Sequence, residues 1–308
     1  MALWWGKSKY GNLVIKDHVI RYVEASRGHS PDVKRWGERP LPAGVVRDGR
    51  IVDGETLVMI LDECVEEWKI DGRRVRFVVP DPFVMIRGLP LPAHLSDEEI
   101  RGYLFLELGE SIPLPFAEPV FDYVVMERTN EAVSILLFAA PEAVVSEYAE
   151  LFEEVDLRPV AADVSPLCAY RPFYAAGQAE TDDHILLVQF DESAVNLSVF
   201  HRHLPLFMRH LPLESRGTAV IVDPFVDVYK EMERIMSFYS FSIQQGKQSI
   251  TRVFLAGDHP ELSHVFTALT ERLEVPVERL RASLDPLPER FHLAWGLALK
   301  EGRADDDR

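Results

Sequence analysis

The stretch Leu187–Pro212, LVQFDESAVNLSVFHRHLPLFMRHLP, decides the fold. Apolar and polar residues alternate in it, and turn residues break it twice, which predicts strands at about 183–190, 194–201 and 205–212. The segment His201-Arg202-His203-Leu204-Pro205 reads as a hairpin turn. The earlier turn, Phe190-Asp191-Glu192-Ser193, carries two acids where phosphate-binding turns of this rhythm place glycine.

The same triple of strands opens the chain, at about 11–16, 18–26 and 32–40. After the first triple, Leu57, Ile60, Leu61, Cys64, Val65 and Trp68 recur at helical spacing, and Val75–Val79 reads as a buried strand ended by Pro80-Asp81-Pro82. After the second come a helix at about 223–243, a strand at 252–256, a helix at 260–273, a short strand near Val275 and a last helix at 291–301. Between the copies the rhythm changes. A helix is announced by Ser96-Asp97-Glu98-Glu99, a capping box in which serine and glutamate satisfy each other's amides. A hairpin follows around Thr129-Asn130-Glu131, then a helix from Pro141 to Val155, a strand at 158–164 and a helix at 165–176.

The chain therefore reads as α/β, a βββαβα unit used twice to give two lobes and a cleft, with an inserted α+β unit in the first copy. The first core covers 1–82 and 156–178, with a C-terminal helix at 291–302 packing on it. The insert covers 83–155, the second core 179–290 and a frayed acidic tail 303–308.

Composition narrows the function. The 308 residues are 47% apolar, and 50 acids against 33 bases give a net charge of −17, which argues against a nucleic-acid binder and against adsorption to anionic lipid. Two cysteines, Cys64 and Cys168, each inside an apolar pattern, suggest neither disulfides nor a thiolate metal site, and fit the cytoplasm. No apolar run reaches the roughly 20 residues of a membrane helix. Trp4 and Trp5 are read as docking on the protein body rather than inserting into a membrane.

The duplicated order resembles the actin-like ATPase fold, and longer stretches narrow the resemblance. The segments RGLPLPAHLSDEEIRGYLFLELGESIPLPFAEPVFDYVV, EYAELFEEVDLRPVAADV, NLSVFHRHLPLFMRHLP and FHLAWGLALKE are similar to PilM, the actin-like family of type IV pilus assembly related to FtsA. The resemblance places the nucleotide site at Val14, Ile15, Lys16 and Asp17, at Val188 to Ser193, and at Gly257-Asp258-His259. The implied site residues are Lys16, Asp17, Gln189, Asp191, Ser193 and Gly257. The phosphate glycines of the two strand turns are replaced, and the glycine-rich third turn is reduced to Gly257. Glycine lets main-chain amides approach phosphate oxygens. A carboxylate about 5 Å from a phosphate charge instead costs on the order of 3 kcal/mol at an effective dielectric near 20. The family's helical wall of the adenine pocket has only LESRGTAVIVD to form it.

The resemblance, taken with the replaced nucleotide turns, implies a cytoplasmic adaptor that is a degenerate ATPase rather than an enzyme and carries no cofactor. It would sit at the membrane's inner face by binding the N-terminal tail of a PilN-like inner-membrane protein, among other pilus, competence or type II secretion platform proteins. Leu89, Leu91, Ile100, Tyr103 and Leu104 are the expected lining of that groove. The alternative is an ATP-binding switch using Mg²⁺, with Lys16, Ser193 and Gly257. A third reading, a sugar or acetate kinase, would need Asp163 as its catalytic aspartate. His201, His203 and His210 offer no evident third metal ligand, and Ser193 lacks the setting of a nucleophile.

Overall fold

The computed structural model describes residues 10–26, 31–213, 225–281 and 286–300; Trp4, Trp5, the acidic tail and most of the short segment at 213–223 lie outside these residues. Its elements in chain order are β1 Gly11–Lys16, β2 Val19–Ala25, β3 Val33–Pro40, β4 Val46–Arg47, β5 Arg50–Ile51, α1 Gly54–Trp68, β6 Arg74–Val79 and β7 Met85–Pro92. There follow α2 Asp97–Glu107, β8 Pro119–Arg128, β9 Ala132–Pro141, α3 Glu142–Glu154, β10 Arg158–Val164 and α4 Ser165–Ala175. The last third contains β11 His184–Phe190, β12 Ala194–His201, β13 Leu204–Pro212, α5 Val226–Phe238, β14 Arg252–Gly257, α6 Leu262–Arg272, β15 Val277–Glu278 and α7 His292–Ala298. The helix expected over 223–243 is α5, whose end relaxes into a π-helical turn at Tyr239–Ile243.

The duplication is real. The first sheet runs β10-β6-β1-β2-β3, and the second contains β15-β14-β11-β12-β13 in the matching order. Strand alternation sorts the side chains into three layers. Leu13 and Ile15 of β1 enter the first core with α1 and α3, while Val14 faces the middle layer. Leu186, Val188 and Phe190 of β11 enter the second core with α5, while Ile185 and Leu187 face the middle. That middle layer is α4 and α7, packed between the sheets. The two helices cross so closely that a Cβ on Gly296 would lie 1.7 Å from the Cys168 carbonyl oxygen.

The insert is bounded differently from the sequence reading. Tyr148, Leu151 and Phe152 of α3, with Val155 just past its end, lie in the first core, so α3 is that core's crossover helix and the insert ends near Pro141. Its sheet, β7-β9-β8, continues the second lobe's sheet rather than the first's: Phe207 of β13 pairs with Arg87 of β7, giving eight strands in all. The pairing covers an edge of β13 that would otherwise be open.

A methyl group at position 296 has no room between two backbones. Gly296→Ala is expected to destabilise the fold by about 3 kcal/mol, read as a lower thermal midpoint, whereas alanine at the open Gly102 is expected to be neutral or stabilising.

Candidate functional site

The turns after β1, β11 and β14 meet in the cleft between the lobes, where the sequence placed the nucleotide site. Lys16, at the end of β1, extends to Asp191 at 2.6 Å and lies 3.6 Å from Asp258. His18 reaches the same Asp258 oxygen at 3.2 Å, and the Arg21 guanidinium donates to it as well. The other Asp258 oxygen accepts the Glu192 main-chain amide at 3.0 Å. An amide of the kind a phosphate turn offers to an anion is therefore held by a carboxylate of the chain itself. Arg21 continues to Glu38, which also binds Arg290 at 2.8 Å.

The two carboxylates differ in their environments. The Asp258 side chain is fully buried; burial pushes its carboxyl up, but Lys16, His18 and Arg21 outweigh this and hold it well below the usual range. Asp191, also buried, is pushed up to about 6, first by burial and then by the charge of Asp258, with Lys16 and the Gln189 amide at 2.5 Å opposing. His292, buried beside this cluster at the start of α7, is pushed down to about 3 by burial and by the nearby Lys16, so it stays neutral.

The other expected site residues have the following places. Asp17 accepts the Asp48 and Gly49 amides at 2.7 and 3.0 Å, fixing the β4–β5 turn. Gly257, with φ +148°, is required by packing: a Cβ there would lie 1.8 Å from the Phe190 carbonyl oxygen. Ser193 lines a cavity of about 60 Å³ together with Lys16, Asp17, Asp81, Asp191, Asn196 and His210. Small-molecule sites commonly enclose several hundred Å³. A second polar contact crosses the cleft there: Asn196 donates to Asp81 at 2.6 Å and bonds His210 at 2.7 Å.

Asp163 is tied to Arg171 at 2.8 Å and Lys300 at 3.0 Å, cations that hold its carboxyl low despite burial, and so secures the end of α7 rather than facing a substrate. The three histidines diverge. His203 bonds Tyr170 and Thr181 from the turn it forms with Arg202, both at positive φ; His201 stacks on His184; His210 joins Asn196. Burial pushes the Cys64 thiol up to about 12 and raises that of Cys168 as well, as for inert core thiols.

The residues expected to line the partner groove lie mostly inside the insert. Leu91, Ile100 and Leu104 are buried in the insert's own core, with Leu89 and Tyr103 half-buried against it, because α2's regular apolar face packs onto β7, β8 and β9. The capping box holds: Glu99 accepts the Ser96 amide at 2.9 Å. Sequence reasoning missed Asp258, His18 and Arg21 as the cleft's charge centre. The available signal was Arg21, a cation inside the mostly apolar, fully buried strand VIRYVEA.

The sequence matches the family described as type IV pilus assembly protein PilM over residues 13–230. The chain belongs to the PilM family. Its fold is similar to that of a chain of a PilM–PilN type IV pilus biogenesis complex, at 22% identity and TM-score 0.75, with 95% of this chain and 98% of that one covered. The ethanolamine utilization protein EutJ from Carboxydothermus hydrogenoformans is more distant, at 12% identity and TM-score 0.52, covering 94% and 89% of the two chains. The duplicated architecture of this PilM-family chain is the actin-like one. Among the described residues no helix is long and apolar enough to cross a membrane.

The carboxylates should separate by pH. Asp258→Asn leaves Lys16, His18 and Arg21 without their shared anion and is expected to cost about 3–5 kcal/mol at pH 7. Asp191→Asn should cost much less. The folded pKa of Asp191 lies above its unfolded value, so its ionisation weakens the fold as pH rises through about 6. Wild type should gain stability relative to Asp191→Asn as pH falls from 7 to 5. Denaturant titrations at both pH values check this.

Proposed function

We propose that this protein is a cytoplasmic adaptor of type IV pilus assembly that binds the N-terminal tail of a PilN-like membrane protein and neither binds nor hydrolyses ATP. The observation that carries the reading is the cluster of Lys16, Asp191 and Asp258 with the Glu192 amide: charges of the two lobes satisfy one another where the family resemblance puts a nucleotide's phosphates and metal. A triphosphate would have to break these pairs and enter against two carboxylates. The PilM family match and the similarity to a chain of a PilM–PilN complex support the cellular role.

The tail would lie along β8, the outermost strand of the eight-stranded sheet, whose outer edge offers unpaired main-chain groups. On the face of β8 turned to the first core, Val120 packs into that core, and Val124 and Met126 continue the row half-exposed. Added main-chain hydrogen bonds would supply affinity, and burial of these two side chains selectivity.

Calorimetry with a synthetic PilN-like N-terminal tail from the same organism tests this. Wild type is expected to bind it with or without Mg-ATP, and Val124→Asp/Met126→Glu to bind at least tenfold more weakly at an unchanged thermal midpoint. No binding by wild type would overturn the adaptor reading; undiminished binding by the double variant would overturn the β8 site.

A further inference from the structure

We propose that the outer face of α2 is a second docking surface, one that takes a basic amphipathic helix of another protein. Helix α2 turns Ile100 and Leu104 into the insert's core, followed by Leu108 just past its end. On the opposite side Gly102, Phe105 and Leu106 stand three and four residues apart and so share one face. Phe105 is 75% exposed and Leu106 70%. Two adjacent bulky apolar side chains left this open on a helix otherwise divided into a core face and a polar face mark a binding surface.

Gly102 supports this independently. It sits at the centre of an exposed helix, where glycine weakens the helix relative to alanine, and nothing lies within 4 Å of where its Cβ would be. Its own backbone conformation does not demand glycine, since it is absent from the residues at positive φ. What the missing side chain provides is a notch beside Phe105 and Leu106 into which a partner's apolar side chain can reach the α2 backbone.

Charge selects the partner. Residues 83–141 hold nine acids against three bases. Of those bases Arg128 is bound to Asp97 and the Leu95 carbonyl, Arg101 lies over the Phe121 ring 4.0 Å from Asp122, and Arg87 is in the sheet junction. Glu98 and Glu110, exposed at the two ends of α2, form no ion pair among the described residues. A second copy would bring like charges together, and nucleic acid or anionic lipid would be repelled. The 11 residues of α2 rise about 16 Å, and a partner helix of three to four turns with leucine-like residues on one side covers that length. Lysine or arginine flanking that side meets both glutamates.

This face is separate from the β8 site. Tyr123 and Val125 of β8 point toward α2, whereas Val120 on the other side of the strand packs into the first core.

The test uses the full chain and a fluorescein-labelled 14-residue helical peptide of leucine and lysine at amphipathic spacing, followed by anisotropy at low and moderate salt. Wild type is expected to bind saturably. Phe105→Ser/Leu106→Ser should bind at least tenfold more weakly, and Glu98→Gln/Glu110→Gln several-fold more weakly with a shallower salt dependence. Phe241→Ser, which changes an equally exposed apolar residue elsewhere, should bind as wild type does. Equal binding by wild type and Phe105→Ser/Leu106→Ser would overturn the proposal, because the peptide would then be held by net charge alone. So would a wild-type dimer in sedimentation that this double variant abolishes, since the face would then be an interface between copies.

Discussion

The carboxylate of Asp258 is the point on which the two lobes depend. An ionised carboxylate with no solvent contact is tolerated only when paired and hydrogen-bonded, and its partners, Lys16, His18 and Arg21, all come from β1, β2 and the turn between them in the first lobe. Separating the lobes would strand that charge and expose Lys16 and Arg21 without it. Two further ties act in the same direction: the α4–α7 layer shared by both sheets, and the sheet that runs from the second lobe into a unit inserted in the first. Actin-like folds have a cleft at this position; here the chain's own charges bridge it.

This arrangement accounts for residues that look like remnants of another site. Lys16, one of the residues the family resemblance assigns to a nucleotide site, meets Asp191 and Asp258. Gly257 looks like a survivor of a glycine-rich turn, but the close approach of the Phe190 carbonyl dictates glycine there. Asp17 stands at the end of β1 and spends both carboxylate oxygens on the neighbouring β4–β5 turn.

Much of the fold was legible because strands with one residue in each of two cores alternate strictly, as β11 and β14 do. The place of the turn Asp191-Glu192 was legible for the same reason, since it follows from the strands around it. Periodicity identified α3 as amphipathic but could not tell which sheet its apolar face covers, so it was assigned to the insert when it belongs to the first core. The residues expected to line the partner groove show the same limit. A regular apolar face such as Ile100, Leu104 and Leu108 is the one a domain buries, and the exposed candidates Phe105 and Leu106 are those that break the pattern. Pairings between distant turns, such as Arg21 with Asp258, leave only a faint trace: a charge in an apolar strand.

A calorimetric titration of the purified protein with Mg-ATP to millimolar concentration tests the central claim most directly. A cleft satisfied by its own ion pairs predicts heats no larger than those of dilution across the whole range. A saturable isotherm, lost when Lys16 is replaced by alanine, would show that the cleft still receives a nucleotide and would contradict the account.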